Sequence, residues 1–443
     1  MSSFDVIEYK MRDGGLSEAA INAFRHSVHV LESKQSMMIP ESDIVPAEGV
    51  EDWEALVAST PEADAELLAQ AVLVKLNGGL GTGMGLQKAK SLLEIKPGVT
   101  FLDLIVRQVR SLRARAGYPV NLLLMNSFST SEDTMAHLAR YAEEGFADPQ
   151  KVEMIQNRVP KLVTETLAPV EFAANPELEW CPPGHGDIYP ALVGSGWLDK
   201  LLDAGVKYAF ISNSDNLGAQ MDTRFLRWFA ESGVPFVMEV TRRTEADKKG
   251  GHLASRKADG QPLLREVAQC PDEDVDAFQD IDKHRYFNTN NLWIRLDALR
   301  DYLAANNGVL PLPVIRNVKT VDPRDAATEK VYQLETAMGA AIQCFPGAKA
   351  VCVPRSRFFP VKTCSDLLLL RSDAVEINEA GLMSLAPECN GIAPIVQLDG
   401  KLYKLVDSLD ALGVPSLKHV TKLTVAGPYH FEPGAPLSGE VTV

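Results

Sequence analysis

A chain of 443 residues exceeds what one hydrophobic core normally supports, so two or three domains are expected. Its 44 lysines and arginines stand against 59 aspartates and glutamates, and the net charge of −15 argues against nucleic-acid or anionic-membrane partners, which call for a basic surface. Apolar residues make up 46% and charged residues 23%, and six scattered cysteines offer neither a C-x-x-C pair nor zinc spacing, so the expectation is a soluble cytoplasmic protein with reduced thiols.

Residues 1–71 read as a helical arm. Ile21, Phe24, Val28 and Leu31 recur at helical spacing, Trp53, Leu56 and Val57 open a second segment, and Pro40 and Pro46 punctuate the gap. The N-terminus lacks the apolar run of a signal peptide, and no apolar stretch is long enough to cross a bilayer.

Residues 72–76 form an apolar, β-branched run expected to be a buried strand. It opens into a loop with glycine at 78, 79, 81, 83 and 85, followed by Lys88 and Lys90. Missing Cβ atoms let backbone N–H groups turn inward on an anion, and the lysines can neutralise phosphate charge. The loop has no glycine-lysine pair, as a Walker loop requires, and its alternating glycines do not spell G-x-G-x-x-G. A plain glycine-rich turn is the bland alternative.

Strand-like runs at 121–125, 208–212, 236–240 and 292–295 alternate with helical ones at 102–113 and 223–230, which predicts a parallel-sheet α/β domain over 72–368. Asp215 follows the run 208–212, at the carboxyl end of a strand, where a carboxylate suits Mg²⁺ or serves as an Asx-turn or helix N-cap. Beyond 368, short β-rich pieces at 392–398 and 422–425 separated by Gly, Pro and Asn predict a small C-terminal β domain over 369–443.

The string Lys75-Leu-Asn-Gly-Gly-Leu-Gly-Thr-Gly-Met-Gly85 resembles the loop signature of eukaryotic-type UTP–glucose-1-phosphate uridylyltransferases. Further strings follow in the order of that family. They are Asn126-Ser-Phe128 with Glu132-Asp-Thr134, Pro182-Pro-Gly-His-Gly-Asp-Ile-Tyr-Pro190 and Asn213-Ser-Asp-Asn-Leu-Gly-Ala219, then Phe287-Asn-Thr-Asn-Asn-Leu-Trp293, Gln333-Leu-Glu-Thr-Ala-Met-Gly-Ala-Ala341 and Val353-Pro-Arg-Ser-Arg-Phe-Phe-Pro-Val-Lys-Thr363. The resemblance implies a Rossmann-like central domain of the nucleotide-diphospho-sugar transferase (GT-A-like) kind. It also implies a left-handed β-helix at the C-terminus, which the chain's length makes a shortened one, and association as monomer or homodimer.

The implied reaction joins UTP and glucose 1-phosphate into UDP-glucose and pyrophosphate by direct attack on the α-phosphorus, with Mg²⁺ as cofactor. A phosphate nucleophile needs no general base, so the protein's task is positioning and charge neutralisation. The resemblance gives Asp215, beside Asn213 and Ser214, the metal role. Lys90 matches the family's loop lysine, although Lys88-Ala89 stand where Gly-Pro is usual, so Lys88 is a rival. Lys362 matches a second lysine near the reacting phosphates; the bland reading of any lysine is a solvated surface charge. Arg355 and Arg357 are weaker candidates for the same anionic pocket.

The resemblance assigns uracil contacts to Leu76, Asn77, Gly78 and Gly79, to Gln156 and to Gly184, an amide side chain being suited to uracil's mixed edge. Gln156 could equally be an ordinary polar loop residue. His185, an imidazole in a mobile turn between Gly184 and Gly186, is implied to contact the sugar phosphate, with a structural histidine as the alternative. Asn290 and Glu335 are implied sugar contacts; Glu335 could instead complement a helix dipole. Trp293 and Leu292 read as core. Competing readings are a UDP-N-acetylhexosamine pyrophosphorylase, against which Met84 speaks, a broad-specificity UDP-sugar pyrophosphorylase, and a catalytically inactive UDP-sugar-binding regulator.

Overall fold

The computed structural model describes residues 3–33, 36–117 and 120–443. The chain divides into two compact units, each built from separated stretches of sequence. One comprises residues 1–74, 154–211 and 223–353, the other 75–153, 212–222 and 354–443. The three stretches read from the sequence were consecutive instead. Among the described residues, eleven strands join in a large mixed sheet flanked by helices, and no helix is long and apolar enough to cross a membrane.

In the first unit, strands Glu51–Asp52, Lys349–Cys352, Phe236–Arg242, Tyr286–Arg295 and Tyr208–Asn213 lie in that order. Strand Phe236–Arg242 pairs parallel with Lys349–Cys352 but antiparallel with Tyr286–Arg295, which is also antiparallel to Tyr208–Asn213. The sheet is therefore mixed, not parallel as the alternation suggested. Between residues 242 and 286 the chain makes an excursion through the hairpin His252–Arg256 and Pro262–Arg265, not a helical crossover. Such a path re-enters the sheet at the end it left, with Tyr286 opposite Arg242, and so makes the pair antiparallel. Trp293, fully buried, packs tilted against Phe210, Phe225 and Phe229 with centroids 4.6, 5.1 and 6.0 Å away.

Helices Ser3–Asp13 and Glu18–Glu32 belong to this unit, and Ile7, Met11, Ile21, Phe24, Val28 and Leu31 bury against Val159, Leu162, Val314 and Leu334. Helical spacing put Ile21, Phe24, Val28 and Leu31 on one face, and that face is the covered one.

In the second unit, helix Phe101–Ala116 starts with a capping box between Thr100 and Asp103 and ends at Gly117, whose φ of 65° suits a residue without Cβ. Strands Ile395–Leu398, Val420–Val425 and Gly439–Thr442 run parallel to one another. They share a core with helix Cys364–Arg371: Leu409, Leu412, Leu417 and Leu423 bury with Leu367, Leu368 and Leu370. Met84, Leu93 and Ile95, which flank the glycine loop and its lysines, join that same core.

Candidate active site

Strand Ala71–Asn77 is buried except at Leu76 and delivers the glycine loop at its carboxyl end. Gly81 and Gly85 take φ of 64° and 81°, bracketing a 3₁₀ turn Thr82–Met84 whose Met84 plugs into the core. At Gly81 a Cβ would lie 2.7 Å from Leu86 Cδ1, and at Gly85 one would lie 3.1 Å from Leu405 Cδ2. These two glycines let the loop double back, whereas Gly79 and Gly83 face open space. Lys90 N donates to Gly79 O at 3.0 Å, closing the loop, and Ser127 Oγ donates to Gly78 O at 2.9 Å.

The closed loop aims the Lys90 ammonium at Asp215, with Nζ 2.6 Å from Oδ2, and at the carbonyl of Val361. Asp215 lies in the turn after strand Tyr208–Asn213, and its own carbonyl accepts from Val361 N at 3.2 Å. The side chains of Lys90 and Asp215 are 17% and 18% exposed, so both are held yet reachable. The carboxylate meets the lysine in place of a backbone amide, and no helix begins at the turn; the N-cap alternative does not describe it. Lys88 is 71% exposed and only 3.8 Å from Asp133, in a loose surface pair.

Around this pair, Ser214 N donates to Leu76 O at 3.1 Å and Asn213 O accepts from Asn216 N at 3.3 Å. Asn77, buried, donates through Nδ2 to Asn126 Oδ1 at 2.7 Å and Thr134 Oγ1 at 3.0 Å; among the described residues its Oδ1 is a buried acceptor without a partner. Lys362 follows Val361 and is exposed, its ammonium 5.9 Å from the Phe358 ring centre. Arg355 is also over that ring, whereas Arg357 is buried and donates to Gln220 O. Among the described residues no three His, Cys, Asp or Glu side chains form a metal cage. A lone, half-sheltered carboxylate still fits Mg²⁺, which keeps waters and shares its ligation with substrate phosphates.

The other residues singled out gather in the first unit. The turn at 184–187 presses its backbone onto Thr336: a Cβ on Gly184 would lie 2.5 Å from Thr336 O, and one on Gly186 2.3 Å from Thr336 Oγ1. Gly184 also holds φ at 80°, so only glycine fits there. Gln156 Nε2 donates to Gly184 O at 3.3 Å. His185 is not the mobile, backbone-exposed imidazole expected. Its ring is partly buried, and Nδ1 accepts the Met338 N–H at 2.9 Å. An amide can only donate, so Nδ1 is unprotonated and the ring's proton sits on Nε2. Burial pushes its pKa down to about 4, consistent with a neutral donor.

Glu335 lies in strand Lys330–Thr336, not at a helix start, which removes the dipole alternative. It accepts from Asn317 Nδ2 at 3.0 Å, and burial raises its pKa against that bond. Asn290 adopts φ of 58° where strand Tyr286–Arg295 slips register against Phe236–Arg242, and its Oδ1 takes a bond from Asn288 Nδ2 at 2.9 Å. A Cβ on Gly339 would lie 3.1 Å from Asn288 Nδ2, so the turn Met338–Gln343 adjoins Asn288 as well as His185.

Two residues escaped the sequence reading. Tyr189 is buried and donates to Met338 O at 2.7 Å. Asp187 is 3% exposed and accepts from Asn157 N at 2.7 Å and Asn157 Nδ2 at 3.0 Å. Burial raises the Asp187 pKa to about 7 against the opposing Asn157 bonds. Asp187 and Tyr189 stand inside a string already noticed, but nothing local announces the partners they reach.

Residues 21–437 match the family model described as UTP–glucose-1-phosphate uridylyltransferase. The chain is 43% identical over 392 residues to proteins of that name from Solanum tuberosum and Saccharomyces cerevisiae, covering 88% of this chain and 80% and 76% of theirs. A mutant UDP-glucose pyrophosphorylase from Leishmania major superposes with a TM-score of 0.93 at 47% identity, covering all of this chain and 94% of the other. A Trypanosoma brucei structure titled UDP-glucose phosphorylase reaches 0.89 at 45% identity, with both chains fully covered.

Proposed function

The chain belongs to the UTP–glucose-1-phosphate uridylyltransferase family, and from that membership we propose how its residues turn UTP and glucose 1-phosphate into UDP-glucose and pyrophosphate. A phosphate oxygen of the sugar attacks the α-phosphorus of UTP. The bond from that phosphorus to the bridging oxygen breaks, and pyrophosphate departs with its electrons. No proton has to move, so rate comes from alignment and from cations placed where charge builds up.

The observation that carries this reading is the Lys90–Asp215 contact beside the glycine loop. Across this contact each neutralises the other; with UTP present, Lys90 exchanges Asp215 for triphosphate oxygens. Asp215, with Asn213 and Ser214 beside it, would hold Mg²⁺, which when bound supplies positive charge against the triphosphate. Lys362, exposed beside Val361, adds a second ammonium at the reacting phosphates. Backbone at Leu76, Asn77, Gly78 and Gly79, the amide of Gln156 and the backbone at Gly184 read uracil. His185 donates Nε2–H to the sugar phosphate, and Asn290 and Glu335 bind glucose hydroxyls.

The same reading extends to the remaining parts. Residues 1–71 contribute the helical arm together with strands Ile44–Pro46 and Glu51–Asp52 of the large sheet, 72–368 the catalytic nucleotide-diphospho-sugar transferase domain, and 369–443 a left-handed β-helix. In favour of the last, strands Ile395–Leu398, Val420–Val425 and Gly439–Thr442 run parallel to one another. We infer a cytoplasmic monomer or homodimer without nucleic-acid or membrane partners.

The test is pyrophosphate release from purified protein with UTP, glucose 1-phosphate and Mg²⁺, each omitted in turn. Release should need all three, and Asp215→Ala should lower kcat roughly 10²–10³-fold, the usual cost of removing one preorganised electrostatic group. Near-parental turnover in Asp215→Ala would sink the metal assignment. Exchanging the sugar phosphate for its N-acetylhexosamine counterparts tests the glucose preference.

A further inference from the structure

Asp187 is costly to the fold where it sits. Its carboxylate is almost fully buried, and its side-chain hydrogen-bond partner is the neutral Asn157. A buried carboxylate without a cation opposes folding unless something compensates, and such groups concentrate at functional sites. An asparagine or a threonine would fill similar space at less cost.

The bonds it makes suggest what compensates. Asp187 Oδ2 takes the backbone N–H of Asn157 at 2.7 Å, and Oδ1 takes its side-chain Nδ2 at 3.0 Å. Asn157 is the direct neighbour of Gln156, and Asp187 closes the turn that carries Gly184 and His185. Asp187 N and Gln156 Nε2 both donate to Gly184 O, at 3.2 and 3.3 Å. The turn itself is fixed from the other side by Thr336 against Gly184 and Gly186, and by Met338 N on His185. The loop bearing Gln156 runs from strand Glu153–Ile155 to strand Val159–Pro160, and between those anchors the Asp187 carboxylate ties it to the turn.

We propose that Asp187 is a positioning residue that fastens the Gln156 loop to the His185 turn, so that uracil recognition and sugar-phosphate recognition are set by a single buried side chain. This rests on the roles given above to Gln156 and His185. A carboxylate suits the task better than an amide, because both of its oxygens accept and neither can turn a donor toward the Asn157 N–H.

The experiment is steady-state kinetics, with both substrates varied, on Asp187→Ala, Asp187→Asn, Asn157→Ala, Gln156→Ala and His185→Ala. Asp187→Ala should raise KM for UTP and for glucose 1-phosphate together, each by roughly tenfold, since small misplacements of binding groups cost this much or more. Asp187→Asn keeps one acceptor and should recover most of the loss. Asn157→Ala removes the side-chain donor but not the backbone one and should give a smaller rise in the same two constants.

A merely destabilised protein loses active fraction, which lowers kcat and leaves KM in place. If Asp187→Ala does not fold, Asp187→Asn and Asn157→Ala decide by the same pair of constants. Unchanged KM for both substrates in the folded variants overturns the proposal, provided Gln156→Ala raises KM for UTP and His185→Ala raises KM for glucose 1-phosphate. If those two do not, the recognition roles themselves fail, which is a separate result.

Discussion

Lys88 and Lys90 are two residues apart, yet their surroundings assign them different weights. Lys90 is sheltered and bonded to Asp215, whereas Lys88 stands 71% exposed at 3.8 Å from Asp133. Surface pairs of that kind contribute about 0–1 kcal/mol, so Lys88→Ala should leave kcat/KM within about twofold, while Lys90→Ala should lower it roughly 10²-fold or more. Equal losses in the two would return the choice to where the sequence left it.

Asp187 and His185 pull stability in opposite directions with pH. The Asp187 pKa is about 7, well above an unfolded aspartate, so the folded form binds the extra proton and stability falls as pH rises toward 7. The His185 pKa is about 4, below an unfolded histidine, so its contribution is lost as pH falls through the acid range. Asp187→Asn should therefore gain melting temperature, relative to the parent, between about pH 5 and about pH 8. Thermal melts showing the same difference at both pH values would contradict this account of the carboxylate.

The glycines separate into those the fold needs and those left open. Gly184 combines φ of 80° with a Cβ position 2.5 Å from Thr336 O, so Gly184→Ala should destabilise strongly, by about 2 kcal/mol or more. Gly79→Ala meets open space, and its melting temperature should stay near that of the parent. If residue 79 is kept bare for a nucleotide, KM for UTP should nevertheless rise severalfold in Gly79→Ala, as steady-state kinetics would reveal.

Elements with strong local signals were legible in the sequence. The strand before the loop, the helix at 101–116 and the buried face at Ile21, Phe24, Val28 and Leu31 follow from apolar periodicity alone. Less was legible where distant partners decide. The direction of strand Tyr286–Arg295 depends on an excursion of more than forty residues, and the state of His185 on an amide 153 positions away. Asp187 was hidden for the same reason, since its meaning lies with Asn157.

At the scale of the whole molecule, both units are stitched from distant stretches, so neither corresponds to a piece that could be cut from the chain. Residues beyond Arg371 supply Leu409, Leu412, Leu417 and Leu423 to the core that also holds Met84 and Ile95. A chain ending at Arg371 should lose most of its activity and become readily cleaved by protease near residues 80–96, because the loop's anchors would be exposed. A truncated protein with parental turnover and protease resistance would show the C-terminal strands to be dispensable.

Leu405, whose Cδ2 lies 3.1 Å from where Gly85 would bear a Cβ, touches the glycine loop from outside. A methyl group so placed is a built-in reporter. Isotope-labelled leucine at 405 should shift its resonance when nucleotide fills the loop, giving a readout of occupancy that needs no turnover and no dye.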